Sequence, residues 1–291
     1  MEADRRRWLG LLAGLGLLLI SCGPNAQAVT TLRARWDPWT CDETTGQIIS
    51  LSVPSATYGR PVLASVYVPA CYDWTPGKLP VIYLLHGGNA DETQWPDLRL
   101  ATEADAMIAA GAPPFVVVMP GGVYSLDVDY AAFVLTDLLP GIESRLRVRA
   151  SGSGRAIGGI SLGGYWALKL AFQHPNLFAA VGGHSPVIAR GGADDPAALA
   201  QTAAGLAGLP IRLDAGDLDS LRASAEQLAG ALQARGLAVT VTISPGGHNR
   251  PYWRSHTAEY LRFYLAALAP TTWPPQSHTP NRRVCKFAEA E

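Results

Sequence analysis

The sequence predicts an α/β protein: a mainly parallel central sheet with helices on both faces. Three observations carry this. Continuous apolar runs such as Pro80-Val-Ile-Tyr-Leu-Leu-His86 and Phe115-Val-Val-Val-Met119 have the composition of strands buried on both sides. They alternate with segments whose apolar residues recur at helical spacing, and that alternation implies right-handed crossovers between parallel strands. The chain has 291 residues, 48% hydrophobic and 16% charged, which is enough for one large core and too apolar for disorder.

The elements follow in order. Arg5, Arg6 and Arg7 precede an uncharged run from Trp8 to Ile20. The run is too short to span ~30 Å of hydrocarbon as a helix but has the length of a signal peptide's apolar region. Leu19-Ile20-Ser21-Cys22 resembles a bacterial lipoprotein processing box, in which Cys22 is lipidated, and Arg-Arg-Arg-Trp-Leu resembles a twin-arginine export signal. The alternative is an ordinary cleaved signal with Cys22 incidental. Residues 1–22 are thus read as an export signal and 23–46 as a loose linker.

The folded domain is placed at 47–269. Ile48–Val53 and Val62–Val68 read as two antiparallel edge strands around a turn at Tyr58-Gly59. Runs at 80–86, 115–119 and 155–160 read as buried strands, with shorter strands at 179–183, 211–215 and 238–243. Helices are expected near 97–110, 130–146 with Pro140 kinking or dividing it, 162–174, 219–235 and 252–268. Residues 270–291 form a Pro-rich tail.

Composition narrows the function. With 23 basic against 24 acidic residues the net charge is −1, so no basic surplus favours nucleic acid or an anionic membrane surface. The only membrane association expected is through a lipid on Cys22. The four cysteines, Cys22, Cys41, Cys71 and Cys285, contain no C-x-x-C pair, so no metal site is expected. An exported compartment permits disulfides. Cys41 and Cys71 bracket the first β-rich segment and are the favoured pair, which requires their Cα atoms to come within about 7 Å.

The chemistry gathers where strands end. Gly159-Ile-Ser-Leu-Gly163 lies where a buried strand turns directly into a helix, the context a nucleophile elbow needs. The flanking glycines leave room for the sharp turn that exposes Ser161 Oγ, and the new helix points its positive end at a developing anion. An isolated serine is a weak nucleophile, so a base and an orienting acid are sought downstream in the order Ser, Asp or Glu, His. His248, in Pro245-Gly-Gly-His248 just after the last strand, is the candidate base; a solvent-exposed loop histidine is the bland alternative. His256 reads as packing or exposed, His174 as structural, and His184 is the rival, able to line the substrate pocket. For the acid, Asp214 lies within a strand, leaving Asp217 and Asp219 in the loop, with Asp219 preferred; either also reads as a helix cap. The oxyanion donors are expected from the backbone of Leu162 and of Gly88, with Gly87 the alternative. Trp95, Tyr124, Trp166 and Trp253 are candidates for a pocket taking an aromatic acyl group or a sugar, although such aromatics are equally common in cores.

These segments together resemble the esterase family of α/β-hydrolases, which includes feruloyl esterases, S-formylglutathione hydrolases, enterochelin esterases and mycobacterial mycolyltransferases. The resemblance covers roughly residues 60–268. It is carried by Pro80-Val-Ile-Tyr-Leu-Leu-His-Gly-Gly, Met119-Pro-Gly-Gly-Val-Tyr, Arg155-Ala-Ile-Gly-Gly-Ile-Ser-Leu-Gly-Gly-Tyr-Trp, His174-Pro-Asn-Leu-Phe, Gly216-Asp-Leu-Asp and Gly246-Gly-His-Asn-Arg-Pro-Tyr-Trp. The family pattern sets the acid three residues after the glycine, which falls on Asp219. The chain departs from it with Leu162 where many members carry Met, and with a short Gly-rich stretch at 182–210 where relatives often hold substrate-binding elements. The resemblance implies an α/β-hydrolase fold and an exported serine esterase without cofactor, acting on small-molecule or carbohydrate esters such as feruloyl or acetyl esters. An acyltransferase with the same triad and a non-catalytic binding protein on the same fold are the rival expectations.

Overall fold

The computed structural model describes residues 41–75, 77–122 and 129–268. The export signal with Cys22, Tyr124 and the Pro-rich tail with Cys285 lie outside the described residues. The chain divides into two units, Met1–Asp42 and Glu43–Glu291, and the second holds the whole architecture below. Cys41 and Cys71 are both disulfide-bonded. Among the described residues, no helix is long and apolar enough to cross a membrane.

Eight strands form one sheet: β1 (Gln47–Val53), β2 (Val62–Val68), β3 (Val81–Leu85), β4 (Val116–Pro120), β5 (Arg155–Ile160), β6 (Val181–His184), β7 (Ile211–Gly216) and β8 (Val239–Ser244). They lie in the order β1-β2-β4-β3-β5-β6-β7-β8. β1 and β2 pair antiparallel, as do β2 and β4, while the pairings from β4 to β8 are all parallel. The reason is visible in the burial of each strand. β3, β4 and β5 are buried at every position, whereas β1 alternates and β8 is partly exposed throughout, so the apolar runs occupy the centre and the mixed strands the two edges.

Among the described residues, the five helices of seven residues or more cover the sheet: α1 (Leu100–Ala109), α2 (Leu162–Gln173), α3 (Pro196–Thr202), α4 (Arg222–Ala234) and α5 (Arg250–Ala267). Successive strand residues face opposite sides. Val81, Tyr83 and Leu85 therefore pack with α2, α3, α4 and the helical stretch after Asp129, while Ile82 and Leu84 pack with α1 and α5. The fold is the α/β-hydrolase sheet that the resemblance implied.

Two features differ from the expectations. The segment 130–146 is divided, one of the two outcomes expected of Pro140, but the division falls ahead of the proline: a π-helical turn, Phe133–Leu138, separates Tyr130–Ala132 from Leu139–Glu143. Proline has no N–H to return to the carbonyl four residues earlier, here that of Thr136, and widening the preceding turn accommodates the loss. Helix α3 was not expected within the Gly-rich stretch. It is preceded by Asp195, whose Oδ2 accepts the backbone N–H groups of Arg190, Gly191 and Gly192 at 2.6, 2.8 and 2.8 Å, and whose Oδ1 accepts Tyr165 O–H at 2.6 Å. Burial pushes this carboxyl up, but the hydrogen bonds more than offset it and hold Asp195 below the usual carboxylate range.

An ion pair ties the helical segment Leu139–Glu143 to the central strand. Arg155 Nε and Nη2 both donate to the Glu143 carboxylate, the second at 2.7 Å, with both side chains about nine-tenths enclosed. Breaking a buried pair by removing one partner typically costs about 3–5 kcal/mol. At roughly 2–4 °C per kcal/mol for a domain of this size, Glu143→Ala is expected to lower Tm by on the order of 10 °C. The double variant Glu143→Leu/Arg155→Met is expected to recover most of that loss in thermal unfolding. Equal losses in both would mean that packing, rather than a stranded charge, sets the cost.

Candidate active site

Ser161 is the single residue between the end of β5 and the start of α2. Its backbone is strained, with φ 54° and ψ −112°, a region costing about 1–3 kcal/mol for a residue with a side chain. The surroundings impose it. Ser161 N–H donates to the His184 carbonyl at 2.8 Å, and the Ser161 carbonyl accepts from Tyr165 and Val187 N–H at 3.1 and 3.0 Å. A Cβ at Gly159 would lie 2.3 Å from the Gly163 carbonyl carbon, and one at Gly163 would lie 2.3 Å from His86 O. Only glycines let the strand and helix approach this closely.

The other two groups come from the ends of β7 and β8. The loops that carry them are laced together: Asp217 N–H donates to Ser244 O at 2.9 Å, Leu218 N–H to Gly246 O at 2.8 Å, and Gly246 N–H to Asp217 Oδ1 at 2.9 Å. Beyond them, Asn249 caps α5, its Oδ1 accepting Tyr252 N–H at 3.1 Å. His248 is thereby held between two partners. Its Nδ1 lies 2.9 Å from Asp219 Oδ2 and its Nε2 lies 3.0 Å from Ser161 Oγ. With Nδ1–H donating to the carboxylate, Nε2 carries the lone pair that faces the Ser161 hydroxyl. The Asp219 side chain is fully enclosed, whereas that of His248 is 32% exposed.

The competing acids have other employment. Asp217 fastens the histidine loop through Gly246. Asp219 Oδ1 accepts Leu221 N–H at 2.8 Å. Neither caps α4, whose cap position is Leu221. Asp214 is wholly buried against His184.

At the expected oxyanion position, Gly87 N–H is already committed to Gln94 Oε1 at 2.7 Å. Gly88 lies beside Leu162, a Cβ there being 3.8 Å from Leu162 Cδ2. Leu162 opens α2, where a first-turn N–H has no intrahelical acceptor. These two N–H groups can bind a negative oxygen formed above Ser161. His86, beneath this loop, sets its ring nitrogens 2.7 Å from Gly87 O and 2.9 Å from Gly122 O.

Several sequence-derived pocket residues belong to the core instead. His184 is wholly buried: Nδ1 faces the Asp214 carboxylate at 3.2 Å, Nε2 pairs with Tyr264 O–H at 2.8 Å, and the ring stacks on Tyr260 at 3.6 Å between centroids. It neither lines a substrate pocket nor reaches Ser161 through its side chain. Trp95 is also enclosed, its indole donating to Leu85 O at 3.1 Å. Trp166 is buried between Tyr130 and Tyr165. Trp253 is 6% exposed and lies against the His248 ring rather than in a pocket. Sequence reading missed Gln94 and Ser185. Gln94 carried no signal, because its pairing with Gly87 depends on a four-residue helix, Gln94–Asp97. Ser185 was hidden behind His184, although it is buried and has a positive φ of 49°.

Two outcomes follow for stability. Glycine tolerates φ 54° where alanine does not, so Ser161→Gly is expected to be more stable than Ser161→Ala by about 1 kcal/mol in chemical denaturation; equal stabilities would show that the elbow is unstrained. Burial also pushes His86 and His184 below the ordinary value of 6.5. The unfolded chain therefore takes up protons first as pH falls, and stability should decrease below about pH 6.5, before carboxylates protonate near pH 4. Urea unfolding at about pH 7.5 and 5.5 checks this, and a flat profile would mean that folding leaves the proton affinity of both rings unchanged.

Comparison with known proteins places this geometry in a family. The family model described as "Putative esterase" matches residues 55–264. Esterase Rv1288 of Mycobacterium tuberculosis is 33% identical over 132 residues, covering 42% of this chain and 28% of the relative. An endo-1,4-beta-xylanase/feruloyl esterase of Xylanibacter ruminicola is 29% identical over 149 residues, covering 46% and 20%. The chain thus spans about a quarter of the length of the curated relatives it matches. A solved ferulic acid esterase superposes with a TM-score of 0.73 at 22% identity, over 79% of this chain and 100% of that one.

Proposed function

The chain belongs to the esterase family of α/β-hydrolases, and from that premise we propose that it is a serine carboxylic-ester hydrolase acting through Ser161, His248 and Asp219. The observation that carries the proposal is one imidazole bridging a strained serine at 3.0 Å and an enclosed carboxylate at 2.9 Å.

In the first half-reaction, Ser161 Oγ attacks the ester carbonyl while His248 Nε2 accepts the hydroxyl proton. Asp219 keeps Nδ1 protonated and stabilises the imidazolium. The N–H groups of Leu162 and Gly88 receive the developing oxyanion. His248 then returns its proton to the departing alcohol, leaving an acyl group on Ser161. Water, deprotonated by the same imidazole, releases the acid. No metal or organic cofactor enters these steps. The exposure of His248 favours water over a second alcohol as the acceptor, hence hydrolase over acyltransferase.

For the substrate, we infer feruloyl or acetyl esters of carbohydrates. Support comes from two relatives named for feruloyl or ferulic acid ester cleavage. Export is inferred from residues 1–22, with Cys22 as a lipid attachment point that tethers the enzyme to the bacterial membrane.

Ser161→Ala is expected to abolish turnover of a panel running from short nitrophenyl esters to feruloyl and acetylated sugars. Asp219→Asn disfavours the required imidazole tautomer. The same change in a chymotrypsin-type triad costs ~10⁴ in kcat, and a loss of about two to four decades is expected here, on the order of 3–5 kcal/mol. Asp217→Asn retains an oxygen to accept Gly246 N–H and should lose less than about tenfold. Steady-state kinetics on variants matched for folded fraction test all three, and a crippled Asp217→Asn beside an active Asp219→Asn would overturn the acid assignment.

A further inference from the structure

We propose that Trp253 is a positioning residue for His248, using the helix-start contact of α5 and buried Ser185 to hold the imidazole in register with Ser161. This rests on the esterase reading above.

His248 immediately precedes the cap residue Asn249, and Trp253 is the fourth residue of the helix that follows. Side chains at these two positions commonly pack together and fix the angle at which a chain enters a helix. Here the pair is an imidazole and an indole, with ring centroids 5.0 Å apart and planes at 86°, an edge-to-face arrangement. Asn249 completes the cap through Tyr252 N–H. The loop before it, Pro245-Gly-Gly, has little side chain of its own with which to fix the histidine.

The indole is itself fixed. Its Nε1–H donates to Ser185 Oγ at 3.1 Å. Ser185 is wholly buried, with φ 49°, and its N–H donates to Asp214 O on β7 at 2.7 Å. The preceding residue, His184, supplies the carbonyl that holds Ser161 N–H at 2.8 Å. Two adjacent residues at the end of β6 therefore hold both reacting partners: His184 the nucleophile through the backbone, and Ser185 the base through Trp253. Without the indole, the imidazole loses the surface that sets its tilt, and its hydrogen bond to Asp219 loosens with it.

The test compares wild type with Trp253→Phe, Trp253→Leu and Ser185→Ala, using a short nitrophenyl ester, with folded fraction set by thermal unfolding. Displacing a reacting group by about 1 Å costs roughly 100-fold, so Trp253→Leu is expected to lower kcat about 10- to 100-fold with KM within about twofold. Trp253→Phe keeps a ring against His248 and should recover to within about fivefold of wild type, while Ser185→Ala should lose roughly three- to tenfold in kcat, the share of one hydrogen bond. If Trp253→Leu fails to fold, the ordering of the other two variants decides. A rise in KM alone would make Trp253 a substrate contact and overturn the proposal, as would activity lost only in proportion to unfolded protein.

A second readout does not depend on turnover. The low-field proton NMR signal of His248 Nδ1–H should be present in wild type and Trp253→Phe and broadened or lost in Trp253→Leu. Its persistence in the leucine variant overturns the positioning role. Failure of wild type to hydrolyse any ester or to react with a fluorophosphonate at Ser161 would instead overturn the esterase reading and leave the NMR comparison to decide this one.

Discussion

The constraint on which the rest depends is the close approach of strand β5 to helix α2. Positions 159 and 163 have no room for a methyl group, so the chain reverses within a single residue. That residue must then adopt a backbone conformation that side chains disfavour. Neighbouring strands meet the cost: the end of β6 accepts the Ser161 N–H, and β3 supplies the His86 loop against which Gly163 packs. The sheet's parallel centre thus brings its carboxyl ends to one edge, where three loops from β5, β7 and β8 can meet.

Beneath that edge lies a second aspartate–histidine pair that is easily mistaken for chemistry. Asp214 and His184 are wholly buried, and Tyr264 and Tyr260 enclose the ring. The contrast with Asp219 and His248 is one of access. A base must exchange its proton with a substrate, and His248 is partly open while His184 has no path to solvent. Enclosure gives His184 a different use, joining β6 to β7 and α5 through polar contacts that define the register of the strand ends.

Much of this was legible in the residues. The apolar runs 80–86 and 115–119 could be read as central strands because burial on both faces demands uninterrupted hydrophobicity. Gly159-Ile-Ser-Leu-Gly163 could be read as an elbow because glycine is needed on each side of the turn. The pocket residues were not legible in the same way. Trp95, Trp166 and His184 are types found equally in cores and in pockets, and only the packing of α1, α2 and α5 decides which. The π-helical turn was half visible: Pro140 announces a fault in the helix, but the chain places the repair one turn earlier. Gln94 and Ser185 act through contacts set by tertiary structure alone, so no local pattern marks them.

The position of β8 has one more consequence. Among the described strands it is the outermost on its side of the sheet, bonded to β7 alone and partly exposed along its length, whereas Ser161 hangs from the wholly buried β5. Nucleophile and base therefore sit on parts of the molecule with different resistance to opening. Local opening therefore reaches the margin that carries the imidazole sooner than the centre that carries the serine.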